Sequence, residues 1–374
     1  MKISKVEPII LRSGPADTSR ADGTQDAFLV RVHTDDGLVG IGEADTSPYV
    51  AHVITDMPAS HAVARGLSEL LLGEDPLQIR RLWDVMFAGT YHYGRDGAAL
   101  HAISAVDMAL WDIAGKAAGR PVCDLLGGQR AEQVAVYASE VMPVTPEEVS
   151  ELAAWAVGEG FQAVKLGWGP LGADIGHDVD LVTAAREAIG PDRHLMIDGG
   201  MAYSLHSARE FCRRAEPLDL FWFEEPFEAG DYRSYERLAD SVGIRIACGE
   251  AHSTTAPFRR LVEAKVDVLQ PDLGRCGGFT TGRDIAAMSR EQGGVLVVPH
   301  CFSTDVLLAA TLQFAATLDR ERLIEFPVTA SKQLGTILTT AITPVAGVLR
   351  VPAGPGLGIE LDDEEVGRRT VRAH

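Results

Sequence analysis

FWFEEP, residues 221–226, runs three large apolar side chains directly into two glutamates and a proline. A continuous apolar run of this length reads as a strand buried on both faces, as in a parallel sheet. Carboxylates at the end of such a strand need a reason to be there. The surrounding sequence repeats the pattern: QVAVYAS, QAVKLG, HLMID, LFWFE, IRIACGE, VDVLQPD, VLVVPH and RLIEF are eight β-rich runs, beginning near residue 133. Helical segments separate them. In TPEEVSELAAWAVGEG, Thr145 and Glu148 form a capping box, Pro146 takes the first helical position, and Val149, Leu152, Ala153, Ala156 and Val157 share one apolar face. Strand and helix alternating eight times predict a parallel (β/α) barrel.

The residues closing these strands are Lys165, Asp198, Glu224, Glu250, Asp272, His300 and Glu325, spaced by 33, 26, 26, 22, 28 and 25. One strand, one helix and two loops fill about 25 residues, so each side chain returns to the same C-terminal rim, where such barrels place their active sites. FWFEEP therefore builds a strand and delivers Glu224 to the barrel mouth.

Ahead of the barrel the pattern differs. ISKVEPIILR and DAFLVRVH alternate as half-buried strands, and Asp36-Gly37 marks a hairpin turn before LVGIGEA. In ALHAISAVDMALWDIAGKAAG, Leu100, Ile103, Val106, Leu110, Trp111 and Ala114 recur at helical spacing, with Gly119 and Pro121 as the stop. These predict an α+β capping domain over residues 1–128, completed by a C-terminal segment from about 346 to 374, around a barrel over 129–345.

Composition narrows the function classes. The net charge of −19 opposes nucleic acid and anionic membranes as partners. No apolar run is long enough to span a bilayer, and MKISKVEPII lacks the unbroken apolar stretch of a signal peptide. Five scattered cysteines without a CxxC pair argue against a disulfide framework or a thiolate metal site. A soluble cytoplasmic protein is expected.

Three carboxylates, Asp198, Glu224 and Glu250, converge from consecutive strands. At about 4 Å and an effective dielectric near 20, each like-charged pair costs roughly 4 kcal/mol, for which a divalent cation is the natural remedy, the alternative being three unrelated, solvated loop-end acids. Oxygen-only ligation with room for water and substrate suits Mg²⁺. Asp272 and His300 end neighbouring strands, roughly 5 Å apart. An aspartate on one ring nitrogen fixes the tautomer and raises basicity at the other, making His300 a candidate general base.

The stretches GFQAVKLG, LMIDGG, FWFEEP, ACGEA, LQPDLGRCGG, VVPH and IEF, with HAISAVDMALWDIAGKAAGRPVCDLLGG before them and GPGLGIE after, resemble the enolase superfamily, in its mandelate racemase subgroup. The resemblance implies Asp198, Glu224 and Glu250 as Mg²⁺ ligands, Asp272 with His300 as the general-base dyad, and Glu325 as an acid facing the substrate carboxylate. It also implies a small-molecule carboxylate substrate and a homo-oligomer. Glu225 carries no assigned chemistry and reads as a supporting carboxylate. Many members have a second lysine two residues after the first on the second barrel strand; here Lys165 is followed by Leu166 and Gly167.

Racemisation needs proton transfer on both faces of a planar intermediate, and glycine supplies no second base. A sugar-acid dehydratase needs only His300, to take the α proton and then assist loss of a β hydroxyl. The alternatives are a racemase or epimerase using Lys165, a lactone cycloisomerase, and a sugar-acid binding protein without turnover. For substrate contacts, Trp168 and His252 follow the second and fifth strands, while Arg20, His52, Tyr91 and Tyr93 lie in capping-domain segments.

Overall fold

The computed structural model describes residues 1–15, 25–320, 322–328 and 335–371. Strands β1 (Ile3–Arg12), β2 (Asp26–Thr34) and β3 (Val39–Ala44) form an antiparallel meander, as their alternation predicts. The Asp36-Gly37 turn joins β2 to β3, with Gly37 at φ 92°. The helix Ala98–Ala118 lies against this sheet and ends at Gly119, which takes the left-handed conformation that closes a helix.

The second sheet is parallel and holds all eight expected runs: β4 (Gln133–Val141), β5 (Ala163–Gly167), β6 (His194–Asp198), β7 (Trp222–Glu224), β8 (Ile246–Cys248), β9 (Val268–Leu269), β10 (Leu296–Val297) and β11 (Leu323–Pro327). Each pairs with its predecessor from β5 to β10, and β11 returns to lie parallel to β4. Helices connect successive strands. The first of them, Pro146–Gly158, makes both bonds of the Thr145–Glu148 capping box. Among the described residues, β12 (Val348–Arg350) runs antiparallel to β4, and β13 (Thr370–Val371) pairs with β1. The C-terminal segment thus serves both sheets.

Alternation along the strands explains how this scaffold builds a site. Tyr137, Ala163, Met196, Trp222, Ala247, Val268 and Leu323, each from a barrel strand, are buried together inside the barrel with Val298, which directly follows β10. Side chains on one strand face repeat every two residues. Two residues further on, the same inward face presents Ser139, Lys165, Asp198, Glu224 and Glu325 from β4, β5, β6, β7 and β11, and His300 from the chain just past β10. The apolar layer is the floor, and the polar groups stand on it.

The paired segments of β8, β9 and β10 are only two or three residues long. Glu250, Asp272 and His300 consequently lie beyond the ladder, in loops, rather than at paired strand ends. Gly249, at φ 148°, makes the bend before Glu250, and a Cβ there would sit 2.9 Å from the Gln270 backbone nitrogen.

Candidate active site

The predicted groups meet. Carboxylate oxygens of Asp198, Glu224 and Glu250 lie within 4.8 Å of one another. His300 Nδ1 is 2.6 Å from Asp272 Oδ2, while its Nε2 lies 3.2 Å from Glu250 and 3.4 Å from Glu325. Lys165 Nζ is 2.6 Å from Glu224, 2.8 Å from Glu325 and 3.9 Å from Asp198. The side chains of Lys165, Asp198, Glu224, Asp272, His300 and Glu325 are buried. They surround the floor of a mouth of about 690 Å³, which Lys165, Asp198, Glu250, His300 and Glu325 line directly.

Burial and mutual charge shift these groups strongly. Burial, and then the Glu224 charge, holds the Asp198 carboxyl well above its ordinary range, and burial also raises Glu224. Burial alone would depress Lys165, but Glu224 and Glu325 outweigh it and hold the ammonium protonated well above 10.5. Burial would raise Glu325, yet Lys165 and His300 bring it down to about 2. Burial would likewise depress His300; Glu250, Glu325 and the hydrogen bond to Asp272 reverse this and push the imidazole up to about 10.

Sequence reading missed Trp222, Ser139 and Arg275, whereas Glu225 has the supporting role expected of it and Trp168, expected near the site, bonds a member of the cluster. Trp222 Nε1 donates to Glu224 Oε2 at 2.9 Å, Trp168 Nε1 to Asp198 Oδ2 at 3.1 Å, and Ser139 Oγ to Glu325 Oε1 at 2.6 Å. Glu225 accepts from the Gly249 amide at 3.2 Å and Cys248 Sγ at 3.4 Å, tying the end of β7 to the bend that aims Glu250. Burial, with the Glu250 charge, raises Glu225 to about 7. Arg275 reaches Asp45 on the first-sheet side at 2.6 Å, Glu250 at 3.5 Å and Asp272 at 3.8 Å. A charged residue inside the glycine-rich LGRCGG was the only sequence signal for it.

The expected substrate contacts divide. Trp168 lines the mouth. His252 does not: it is packed between Tyr232, whose ring stacks on it at 10°, and Phe258. The turn after β8 directs it outward past Glu250 into that aromatic cluster. Arg20 lies outside the described residues. His52, Tyr91 and Tyr93 are not among the described residues lining the mouth, and the Tyr93 hydroxyl donates to the Arg65 carbonyl instead. His101, from the long first-domain helix, does line it, and burial lowers its imidazole to about 4.

A second lysine is excluded at Gly167 by packing. A Cβ there would stand 2.3 Å from Asp198 Cβ and 2.8 Å from the Asp198 carbonyl oxygen. β5 and β6 pair Gly167 with Asp198, so a longer side chain would displace a member of the carboxylate cluster.

An antiparallel α+β domain on a parallel barrel, with three converging acids and a histidine–aspartate pair at the mouth, defines a class, and the chain belongs to it: the enolase superfamily, in the mandelate racemase group. Residues 3–127 match the mandelate racemase / muconate lactonizing enzyme N-terminal domain, and residues 148–366 the enolase C-terminal domain-like family. The chain is 35% identical over 348 residues to the D-galactarolactone cycloisomerase of Agrobacterium fabrum, covering 89% of this chain and 88% of that one. It is 35% identical over 349 residues to a provisionally named L-rhamnonate dehydratase of Caldivirga maquilingensis, covering 90% and 81%. A crystal structure of a racemase from Streptomyces coelicolor A3(2) with bound magnesium superposes with a TM-score of 0.86 at 30% identity, over 99% of this chain and 100% of that one. Three differently named reactions at 30% identity or above leave the reaction to be argued from the site.

Proposed function

We propose that the protein is a sugar-acid dehydratase: it removes the proton α to a carboxylate and expels the β hydroxyl, giving a 2-keto-3-deoxy acid. The observation that carries this reading is the presence of one usable base. Lys165 is engaged by both Glu224 and Glu325, Gly167 offers nothing beside it, and His300 is the imidazole oriented as a base, its Nδ1 held by Asp272 at 2.6 Å.

Asp198, Glu224 and Glu250 fit a hard divalent cation. They are clustered carboxylates, burial disfavours the charge of Asp198 and Glu224, and Trp222 and Trp168 each fix one of these two by an N–H bond that leaves other oxygen lone pairs free. These three residues would hold Mg²⁺, which when bound neutralises charge developing on the substrate carboxylate.

His300 Nε2 takes the α proton, and Asp272, accepting from Nδ1–H, stabilises the imidazolium. Lys165 adds positive charge beside Glu325, where the substrate carboxylate would sit. The protonated His300 then delivers its proton to the β hydroxyl as the C–O bond breaks. Water leaves, a carbon–carbon double bond forms, and the neutral imidazole is restored. The resulting enol takes up a proton at the former β carbon and becomes the keto acid.

A second reading has support from the cycloisomerase relative: the leaving oxygen would be that of a lactone ring rather than a free hydroxyl. Incubation with Mg²⁺ and a panel of aldonic acids, aldaric acids and their lactones separates the two. Keto-acid formation from open-chain acids supports dehydration; turnover of lactones alone supports ring opening. Epimers without keto acid would overturn both. The five cysteines are all buried and unpaired, which supports the cytoplasm as the compartment.

A further inference from the structure

Most barrel helices are capped by their own sequence. Thr145, Asp174, Ser204 and Asp231 each accept from the first turn of the helix that follows them. The two helices after Asp272 and His300 draw on more than their own sequence. Gly278–Glu291 starts at Gly277, which has no side chain to cap it, and Asp305–Ala315 starts at Thr304, whose Oγ1 accepts from Val306 N at 3.2 Å but is itself held from outside. Both obtain buried carboxylates from the first domain.

Glu43, on β3 and fully buried, accepts four hydrogen bonds from one short segment: Ser303 Oγ at 2.6 Å, Thr304 N at 3.1 Å, Thr304 Oγ1 at 2.6 Å and Leu307 N at 2.7 Å. That segment begins three residues after His300. Asp107, on the Ala98–Ala118 helix, accepts from Thr280 N at 3.0 Å and Thr280 Oγ1 at 2.5 Å, while Ser104 Oγ accepts from Gly277 N at 2.8 Å. A carboxylate at a helix start satisfies amides that otherwise have no partner and complements the helix dipole. It does so here across a domain boundary, where only tertiary docking can supply it.

We propose that Glu43 is a positioning residue for the base pair: by holding residues 303–307 it fixes the chain that carries His300, so the His300–Asp272 contact forms only when the first domain is seated on the barrel. Asp107 does the same, less directly, for the chain after Asp272. This rests on the reading of Asp272 and His300 as the reacting pair. The paired part of β10 is only two residues long, so the ladder itself does little to hold His300 three residues beyond it.

The test compares Glu43→Gln with Asp112→Asn. Asp112 is another buried first-domain carboxylate; it accepts from Ile41 N and Leu357 N and touches neither helix. The readout is the downfield proton resonance of His300 Nδ1–H in its 2.6 Å bond to Asp272, assigned by its loss in His300→Asn. In Glu43→Gln, a donor amide replaces one accepting oxygen, and the resonance shifts or disappears; in Asp112→Asn it stays. Alongside, kcat falls roughly 10- to 100-fold in Glu43→Gln with KM unchanged, the scale of a displacement of about 1 Å at a reacting group. If Glu43→Gln does not fold, Ser303→Ala removes one donor and gives a smaller shift in the same direction. An unmoved resonance in the folded Glu43 or Ser303 variant, or an equal shift in Asp112→Asn, would overturn the proposal. Wild-type protein that turns over no sugar acid would sink the functional reading alone, because the resonance reports geometry and not the reaction.

Discussion

Lys165→Met removes the ammonium that Glu224 and Glu325 share at the barrel mouth. The side chain is buried, within hydrogen-bonding distance of Glu224 and Glu325. Taking one partner from a buried ion pair leaves an uncompensated charge and costs about 3–5 kcal/mol. The depression of Glu325 from 4.5 to about 2, opposed by burial and caused chiefly by Lys165, corresponds independently to roughly 3 kcal/mol. The two figures agree, and the sign follows from linkage. A carboxyl whose folded pKa is lowered contributes stability above its unfolded pKa and loses it as pH falls toward the folded value. The penalty should therefore be full at pH 7 and smaller by about 1 kcal/mol at pH 3.5, where the carboxyl is largely protonated in the unfolded chain but still ionised in the folded one. Urea unfolding followed by tryptophan fluorescence, in chelator so that no divalent ion intervenes, measures both values. A neutral or stabilised variant at pH 7, or a penalty that does not change at pH 3.5, would refute the reasoning.

Calorimetry with Mg²⁺ should show Glu224→Gln binding more than about 100-fold more weakly than wild type, and Trp222→Phe roughly tenfold more weakly, since partners of metal ligands are worth about 10–100-fold. Equal affinities would remove the cation from this site. Exchange of the substrate α proton in deuterated water should fall roughly 10²- to 10⁴-fold in His300→Asn, and Asp272→Asn should lose activity in the same direction. Undiminished exchange would require another base. Burial raises Glu43 from 4.5 to about 7 against the hydrogen bonds from Ser303, Thr304 and Leu307. A raised carboxyl contributes stability below its unfolded pKa and loses it as pH rises through the folded one, so Glu43→Gln should be more destabilising at pH 5 than at pH 8, by roughly 2–3 kcal/mol. A pH-independent difference would count against this.

The barrel and its rim were legible because their signals are local and periodic. Apolar runs such as LFWFE and HLMID mark strands through their own composition, and a spacing near 25 residues brings each terminal side chain to one end. Capping boxes such as Thr145–Glu148 are written within four residues of chain. His252 was misread because a turn of two residues sends it into the Tyr232–Phe258 cluster, and sequence distance from Glu250 carries no direction.

What the chain determined by itself, then, is the order of strands and the return of the acids and the imidazole to one rim, since a repeat of one strand plus one helix requires no knowledge of the rest. Tertiary structure alone decided that Lys165 sits between Glu224 and Glu325, that Gly167 has no room for a base, and that Glu43 and Asp107 cap helices more than 150 residues away. Those outcomes depend on burial and on partners distant in sequence. Electrostatic strength depends on how much water is excluded, and that is fixed only once the two domains close on each other.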